Sequence, residues 1–268
     1  MSVIRRLALV TTAVVLAYQP AAVAARKSYE TPPPNAKFDY QLGGSYRPAP
    51  SVQVIGRDHT SHPVNGRYNV CYINGFQTQD YQAEWWQRNH SDLLLHDAEG
   101  DLVGDPNWAG EYLLDTSTAA KRQRLLTIIG GWIDGCARKG FDAADPDNLD
   151  SNTRSHGLLT LADNLAFAAL LAQRAHADGL AISQKNDAEA SARARRSVHF
   201  DFAISESCQV YDECGSYTKT YGDEVFDIEY RAKSFHAACR ARGHRISIIR
   251  RDHDLVARGR PGYVYRAC

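Results

Sequence analysis

Residues 125–150 read LLTIIGGWIDGCARKGFDAADPDNLD and hold one whole structural repeat. Leu125, Ile128, Ile129, Trp132, Ile133 and Cys136 recur at i, i+3, i+4, i+7, i+8 and i+11, which is one face of a helix. Arg138-Lys139-Gly140 closes that helix: cations suit the carbonyl end of the dipole, and glycine suits a left-handed cap. A short apolar run follows at once, Phe141–Asp145, the pattern of a strand buried on both faces. It ends in the polar cluster around Asp147.

The unit recurs along the chain. Ala177-Asp178-Gly179 precedes Leu180–Ser183, and Ala241-Arg242-Gly243 precedes Arg245–Ile249. Thr160 with Asp163 three residues on has capping-box spacing, and Leu161, Leu165, Ala168 and Ala172 line the face of the helix it starts. Five further runs read as strands: Phe38–Leu42, Tyr68–Ile73, Glu111–Leu114, Phe200–Ser205 and Val225–Glu229. Eight strands alternating with helices predict a (β/α)8 TIM barrel, a fold of about 250 residues. A doubly wound open sheet is the alternative, weakened because no glycine-rich GxGxxG turn follows an early strand.

The 268 residues carry 31 basic and 31 acidic side chains, a balance that gives no footprint for nucleic acid. Mean hydropathy is −0.43, and no apolar run is long enough for a membrane span. Arg5-Arg6, the apolar stretch Leu7 to Leu16 and Ala22-Val23-Ala24 have the order of a secretory signal peptide, predicting cleavage after residue 24 and a secreted, extracellular protein. Residues 25–37, polar and rich in proline, read as a flexible lead-in, and 38–268 as a single domain. All six cysteines follow the signal: Cys71, Cys136, Cys208, Cys214, Cys239 and Cys268. An even number in an exported chain favours disulfides over free thiols, with 15 possible connectivities. Cys208 and Cys214 are close enough for a local staple; Cys239–Cys268 and Cys71–Cys136 are the expected remainder.

A barrel gathers the carboxyl ends of its strands on one face, where active sites of such barrels lie. Those ends read Gln41, Asn74, Asp115, Asp147, Lys185-Asn186, Glu206, Glu229 and Arg250-Arg251. The densest group is Asp142, Asp145, Asp147 and Asp150, for which three readings compete. A calcium loop lacks the glycine and glutamate that an EF-hand requires. A solvated, helix-capping loop fits the composition. Catalysis would set Asp147, at the end of one strand, against Glu206, at the end of another, as the two carboxylates of glycoside hydrolysis. No Ser-His-Asp, zinc or GxSxG arrangement competes, and no organic cofactor or metal is implied. Trp108 is the better candidate for a sugar-stacking platform, whereas Trp132 lies on a core-facing helix stripe.

At these residues the chain resembles glycoside-hydrolase family 114, the endo-α-1,4-polygalactosaminidase and spherulin-4-like group. The stretches that carry the resemblance are CYINGFQTQ (71–79), WAGEYLLD (108–115), GFDAADPDNLDS (140–151), GLAISQKN (179–186), FDFAISESCQVYDEC (200–214) and VFDIEY (225–230). The resemblance implies a secreted (β/α)8 hydrolase with Asp147 and Glu206 as its catalytic carboxylates, and it supports a Cys208–Cys214 bridge. It implies substrate contacts at Asp115, Lys185, Asn186 and Glu229; Tyr72, Trp108, Asp145, Asn148 and Asp150 are further candidate contacts. The implied partner is a cationic or partly acetylated amino-sugar polysaccharide. A mouth bearing Asp142, Asp145, Asp147, Asp150, Glu206 and Glu229 would attract such a polycation. The rival is a non-catalytic barrel that binds amino-sugar polymers at the cell envelope or in a biofilm.

Overall fold

The computed structural model describes residues 28–268; the expected signal peptide, 1–24, lies outside the described residues. Eight strands follow one another in parallel around a barrel: β1 (Phe38–Tyr40), β2 (Val54–Asp58), β3 (Tyr68–Asn74), β4 (Ala143–Asp147), β5 (Ala181–Lys185), β6 (Phe202–Glu206), β7 (Val225–Glu229) and β8 (Ser247–Arg251). A short β9 (Tyr265–Ala267) runs antiparallel on β8. The seam between β8 and β1 is closed by a side chain: buried Arg251 donates to the Tyr40 carbonyl and lies 3.2 Å from Asp39 Oδ1. Tyr265 Oη adds a hydrogen bond to the Phe38 carbonyl at 2.9 Å. The chain is thus a (β/α)8-type barrel.

The helices are α1 (Asp80–His90), α2 (Ala119–Lys139), α3 (Leu161–Asp178), α4 (Ser191–Val198), α5 (Cys214–Tyr221) and α6 (Ala232–Arg242). The connections at 41–53 and 59–67 contain no helix, so the repeat that the sequence suggests begins only after β3. Thr118 caps α2 by accepting from the Lys121 amide at 3.2 Å, and Thr160 with Asp163 forms the expected capping box on α3. Gly140 and Gly179 cap in the left-handed region at φ 90° and 81°. Gly243 does not: its φ is −62°, and glycine is required because a Cβ would lie 2.7 Å from the Cys239 carbonyl oxygen.

Two strand assignments need correction. Glu111–Leu114 is not a barrel strand; it makes single antiparallel bridges within the long β3–α2 excursion, packing on a small core of Leu95, Val103, Leu113 and Leu159. The second strand is instead Val54–Asp58, broken in pattern by Gly56, where a Cβ would fall 2.4 Å from the Tyr40 ring. The β4, β6 and β8 segments also start two residues later than their apolar runs, which makes Asp147 and Glu206 the last residues of their strands.

Side chains alternate across the wall. Phe38, Val70, Ala143, Phe202, Phe226 and Ile249 fill the barrel, while Cys71, Ile73, Ile182 and Ala203 meet the helices. Three disulfides join Cys71–Cys136, Cys208–Cys214 and Cys239–Cys268, tying β3 to α2, the turn after β6 to α5, and α6 to the chain end. Residues 28–37 of the expected lead-in make specific contacts below the barrel. Tyr29 stacks on His176 and donates to Asp201, and Thr31 donates to Glu224.

Candidate active site

Alternation decides which strand-end residues meet. Tyr40, Tyr72, Asp147, Lys185 and Glu206 are in phase with the barrel interior, and Tyr230 follows β7 in the same phase. They line a cavity of about 680 Å³ at the carboxyl ends of the strands.

Lys185 is the centre of this group. Its side chain is almost wholly buried, and Nζ lies 3.1 Å from Asp147 Oδ2 and 3.0 Å from Glu206 Oε2. Burial alone would strip the ammonium of its proton, but Asp147, Glu206 and Asp145 reverse that and hold it charged. The rings of Tyr40 and Tyr72 flank it at 5.6 and 5.7 Å.

Each carboxylate has its own donors. Asp147 accepts from Tyr72 Oη at 2.9 Å and from the Asn148 amide at 2.7 Å. Glu206 accepts from Asn186 Nδ2 at 3.0 Å and from Tyr230 Oη. Burial pushes the Glu206 carboxyl upward, but Lys185, Tyr230 and Asn186 outweigh it and hold it down at about 2. Both tyrosines are raised by burial and by their carboxylate neighbours, so they remain protonated donors.

The backbone turns sharply after three of the strands. Asn148, Asn186 and Ser207 have φ of 68°, 52° and 59° immediately after Asp147, Lys185 and Glu206. For a residue with a side chain this region costs roughly 1–2 kcal/mol, less for asparagine. The fold holds these turns through side-chain bonds: Asn148 Nδ2 donates to Asn74 Oδ1 at 2.8 Å, and Asn186 Oδ1 accepts from the Glu206 amide at 2.9 Å.

Of the residues expected to contact substrate, Tyr72, Trp108, Asn148, Asp150, Lys185 and Asn186 line the cavity. Three do not. Asp115 follows no barrel strand and is paired with Lys121 at the start of α2. Asp145 points inward one layer below, fully buried, accepting from Tyr40 Oη at 2.6 Å and from Ser183; burial raises it to about 6. Glu229 points outward, because it is out of phase by one residue, and accepts from the Gln209 amide at 2.9 Å. Asp142, also counted toward an acidic mouth, lies at the opposite end of β4, where it accepts from the Asn69 amide.

Other groups complete the site. Asp105 and Asp150 are bridged by Arg154 at 2.8 and 3.0 Å. Glu111, from the β3–α2 excursion, accepts from Gln77 at 2.6 Å and Asn74 at 3.2 Å and forms no ion pair among the described residues, and burial raises it to about 7. Trp108 is 48% exposed and stacks on His253, which also meets Tyr230. Tyr230 and Glu111 were within reach of sequence reasoning, since both lie inside VFDIEY and WAGEYLLD; Arg154 and His253 had no such signal.

A parallel barrel with an acidic cavity at the carboxyl ends of its strands is the architecture of the barrel-type glycoside hydrolases. The chain belongs to glycoside-hydrolase family GH114, whose family model matches residues 19–268. Among solved structures it is similar to Ega3 from Aspergillus fumigatus, crystallised in complex with galactosamine, at 24% identity. That match covers 91% of this chain and 100% of the other, with a TM-score of 0.72. It is also similar to the glycoside hydrolase domain of PelA from Pseudomonas aeruginosa, at 15% identity over 85% of this chain and 98% of that one, with a TM-score of 0.60. At these identities the likeness is one of fold. No curated protein matches the sequence. No helix among the described residues is long and apolar enough to cross a membrane.

Proposed function

We propose that this glycoside hydrolase is secreted after loss of residues 1–24, and that its 38–268 domain cleaves α-1,4-linked galactosamine-type polysaccharide within the chain. Asp147 and Glu206 are the reacting carboxylates. The observation that carries the reading is their shared contact with Lys185, which brings two carboxylates on different strands to one point of the cavity. The Ega3 crystal with galactosamine supports the sugar class. So does charge: Asp105, Glu111, Asp147, Asp150, Glu206 and Asp254 line the cavity against Lys185, Arg154 and Arg231, a surplus that favours a sugar bearing ammonium groups.

In this reading Asp147 attacks the anomeric carbon and Glu206 gives its proton to the leaving oxygen. Lys185 keeps Glu206 ionised in the free site. Sugar filling the cavity expels water from around Glu206 and moves its carboxyl upward, so that it takes up a solvent proton to give to the leaving oxygen. Water then cleaves the sugar–Asp147 ester, its proton returning to Glu206. Tyr72 and Asn148 hold the Asp147 oxygens for in-line attack. Trp108 presents an apolar face to a sugar ring, as do Val210 and Tyr211, which also line the cavity and are exposed.

The test incubates the mature protein with partly deacetylated α-1,4-galactosamine polymer and follows fragments by mass spectrometry, beside folded Asp147→Asn and Glu206→Gln variants. Wild type should release oligosaccharides of several lengths and the variants none. Equal release from all three would remove the site assignment. Retention of polymer without cleavage by wild type would replace the hydrolase with a binding protein.

A further inference from the structure

Asp227 and Glu229 are both wholly buried on the outer face of β7, behind the wall that carries Glu206. Neither has an ion-pair partner among the described residues. Their accepted bonds all come from one turn. Asp227 Oδ1 accepts from Ser205 Oγ at 3.1 Å and from the Cys208 amide at 3.4 Å, and Glu229 Oε1 accepts from the Gln209 amide at 2.9 Å. These donors flank Glu206 on both sides, and Ser207 between them has φ 59°. The two remaining oxygens, Asp227 Oδ2 and Glu229 Oε2, are buried without a hydrogen-bond partner among the described residues, and the two carboxyls, two residues apart on one face of β7, interact with each other. Two buried carboxylates side by side on one strand face, with no cation paired to either, are costly to ionise together, and a single proton on Asp227 shared with Glu229 would satisfy both oxygens.

We propose that Asp227 and Glu229, joined by one shared proton, clamp the turn 205–209 and so act as positioning residues for Glu206. The inference rests on Glu206 being a reacting carboxylate. The Cys208–Cys214 disulfide completes the clamp from the other side, its sulfurs within 4.8 Å of an Asp227 oxygen. Three titratable or charged groups surround the pair without forming an ion pair to it. Tyr217 faces it from α5, Arg250 is Glu229's neighbour across β7–β8, and Arg242 of α6 donates to the Gln209 side chain at 3.1 Å rather than to either carboxyl. Burial raises the Asp227 carboxyl well above its ordinary range, the direction a retained proton requires. When that proton leaves at alkaline pH, two buried anions face each other and the turn loses its anchor.

The decisive variants replace the proton with a fixed amide. Asp227→Asn and Glu229→Gln each keep one N–H donor between the two side chains, with no proton to lose. Each should lower kcat by no more than about 10-fold and move the alkaline limb of the kcat profile upward by at least about one pH unit. Glu229→Ala, which releases the Gln209 amide, should lower kcat by about 10–100-fold with KM nearly constant, the range seen when a supporting residue is removed. An alkaline limb that stays in place in both amide variants would overturn the proposal, as would full kcat in Glu229→Ala. Isotope-edited infrared spectroscopy at pH 8 needs no substrate: wild type should show a protonated carboxyl band that Asp227→Asn lacks. Absence of that difference would overturn the clamp. Failure to cleave amino-sugar polymers, with the band present, would remove only the substrate reading.

Discussion

Lys185 Nζ stands 3.0 Å from Glu206 Oε2 while making an almost identical contact, 3.1 Å, with Asp147. One buried cation therefore touches both proposed reacting groups and holds the Glu206 carboxyl down. Lys185→Met keeps the volume of the side chain and removes the charge. Without the ammonium, burial of Glu206 is no longer outweighed, so its ionisation moves upward. The acid limb of the pH–rate profile should then shift to higher pH, and kcat should fall at least about 100-fold. Measuring that profile with a chromogenic amino-sugar substrate checks both. An unmoved acid limb would mean that Lys185 serves packing alone.

Glu111 supplies a pH dependence of stability. Its carboxyl titrates at about 7 in the fold against 4.5 in an open chain, because burial disfavours the anion more than the Gln77 and Asn74 hydrogen bonds favour it. The folded state therefore holds the proton more tightly. The resulting stabilisation is complete below about pH 4.5 and is lost as pH rises through about 7. Glu111→Gln has no such proton to lose. Between pH 5 and 8 the wild type should lose about 1–2 kcal/mol relative to the variant, a figure reduced for the water that reaches this half-buried group. Paired denaturant titrations across that range measure the difference; parallel curves would contradict it.

Much of this arrangement was legible because a buried strand announces itself. The runs that end at Asp147 and Glu206 are apolar and stop at a polar residue, and the first follows a glycine-capped helix, so their convergence could be inferred without coordinates. Phase could not be read with equal ease. Glu229 and Tyr230 are adjacent, yet one points to the helices and the other donates to Glu206, since successive side chains of a strand take opposite faces. A boundary error of two residues preserves phase, which is why Asp147 survived the misplaced start of β4. Val54–Asp58 was hidden by Gly56, whose missing side chain makes room for the Tyr40 ring, and Glu111–Leu114 mimicked a strand because an insertion with its own small core needs the same apolar alternation.

The disulfides should separate stability from activity. Cys71–Cys136 closes a sequence separation of 65 residues and Cys208–Cys214 one of 6. Loop-closure entropy assigns them about 4 and about 2 kcal/mol. The shorter bridge, however, begins two residues after Glu206. Replacing Cys71 and Cys136 by alanine should lower the unfolding free energy more and leave kcat nearly intact. Replacing Cys208 and Cys214 should cost less stability and more kcat. Calorimetry and steady-state rates on the two double variants decide the matter; the reverse ordering would mean that the turn after β6 does not depend on its bridge.

The stereochemical outcome follows from the same lysine. Because Asp147 Oδ2 and Glu206 Oε2 both touch one nitrogen, at 3.1 and 3.0 Å, those oxygens are at most about 6 Å apart. Inverting glycosidases hold their carboxyls about 6.5–9.5 Å apart to admit a water, whereas retaining enzymes bring them to about 5–5.5 Å for direct attack. Hydrolysis should therefore pass through a glycosyl ester on Asp147 and release products in the α configuration of the substrate. Proton NMR of the anomeric signal in the first minutes of reaction, before mutarotation, reads this directly. Initial β product would require the carboxyls to separate on substrate binding, with Lys185 leaving one of them.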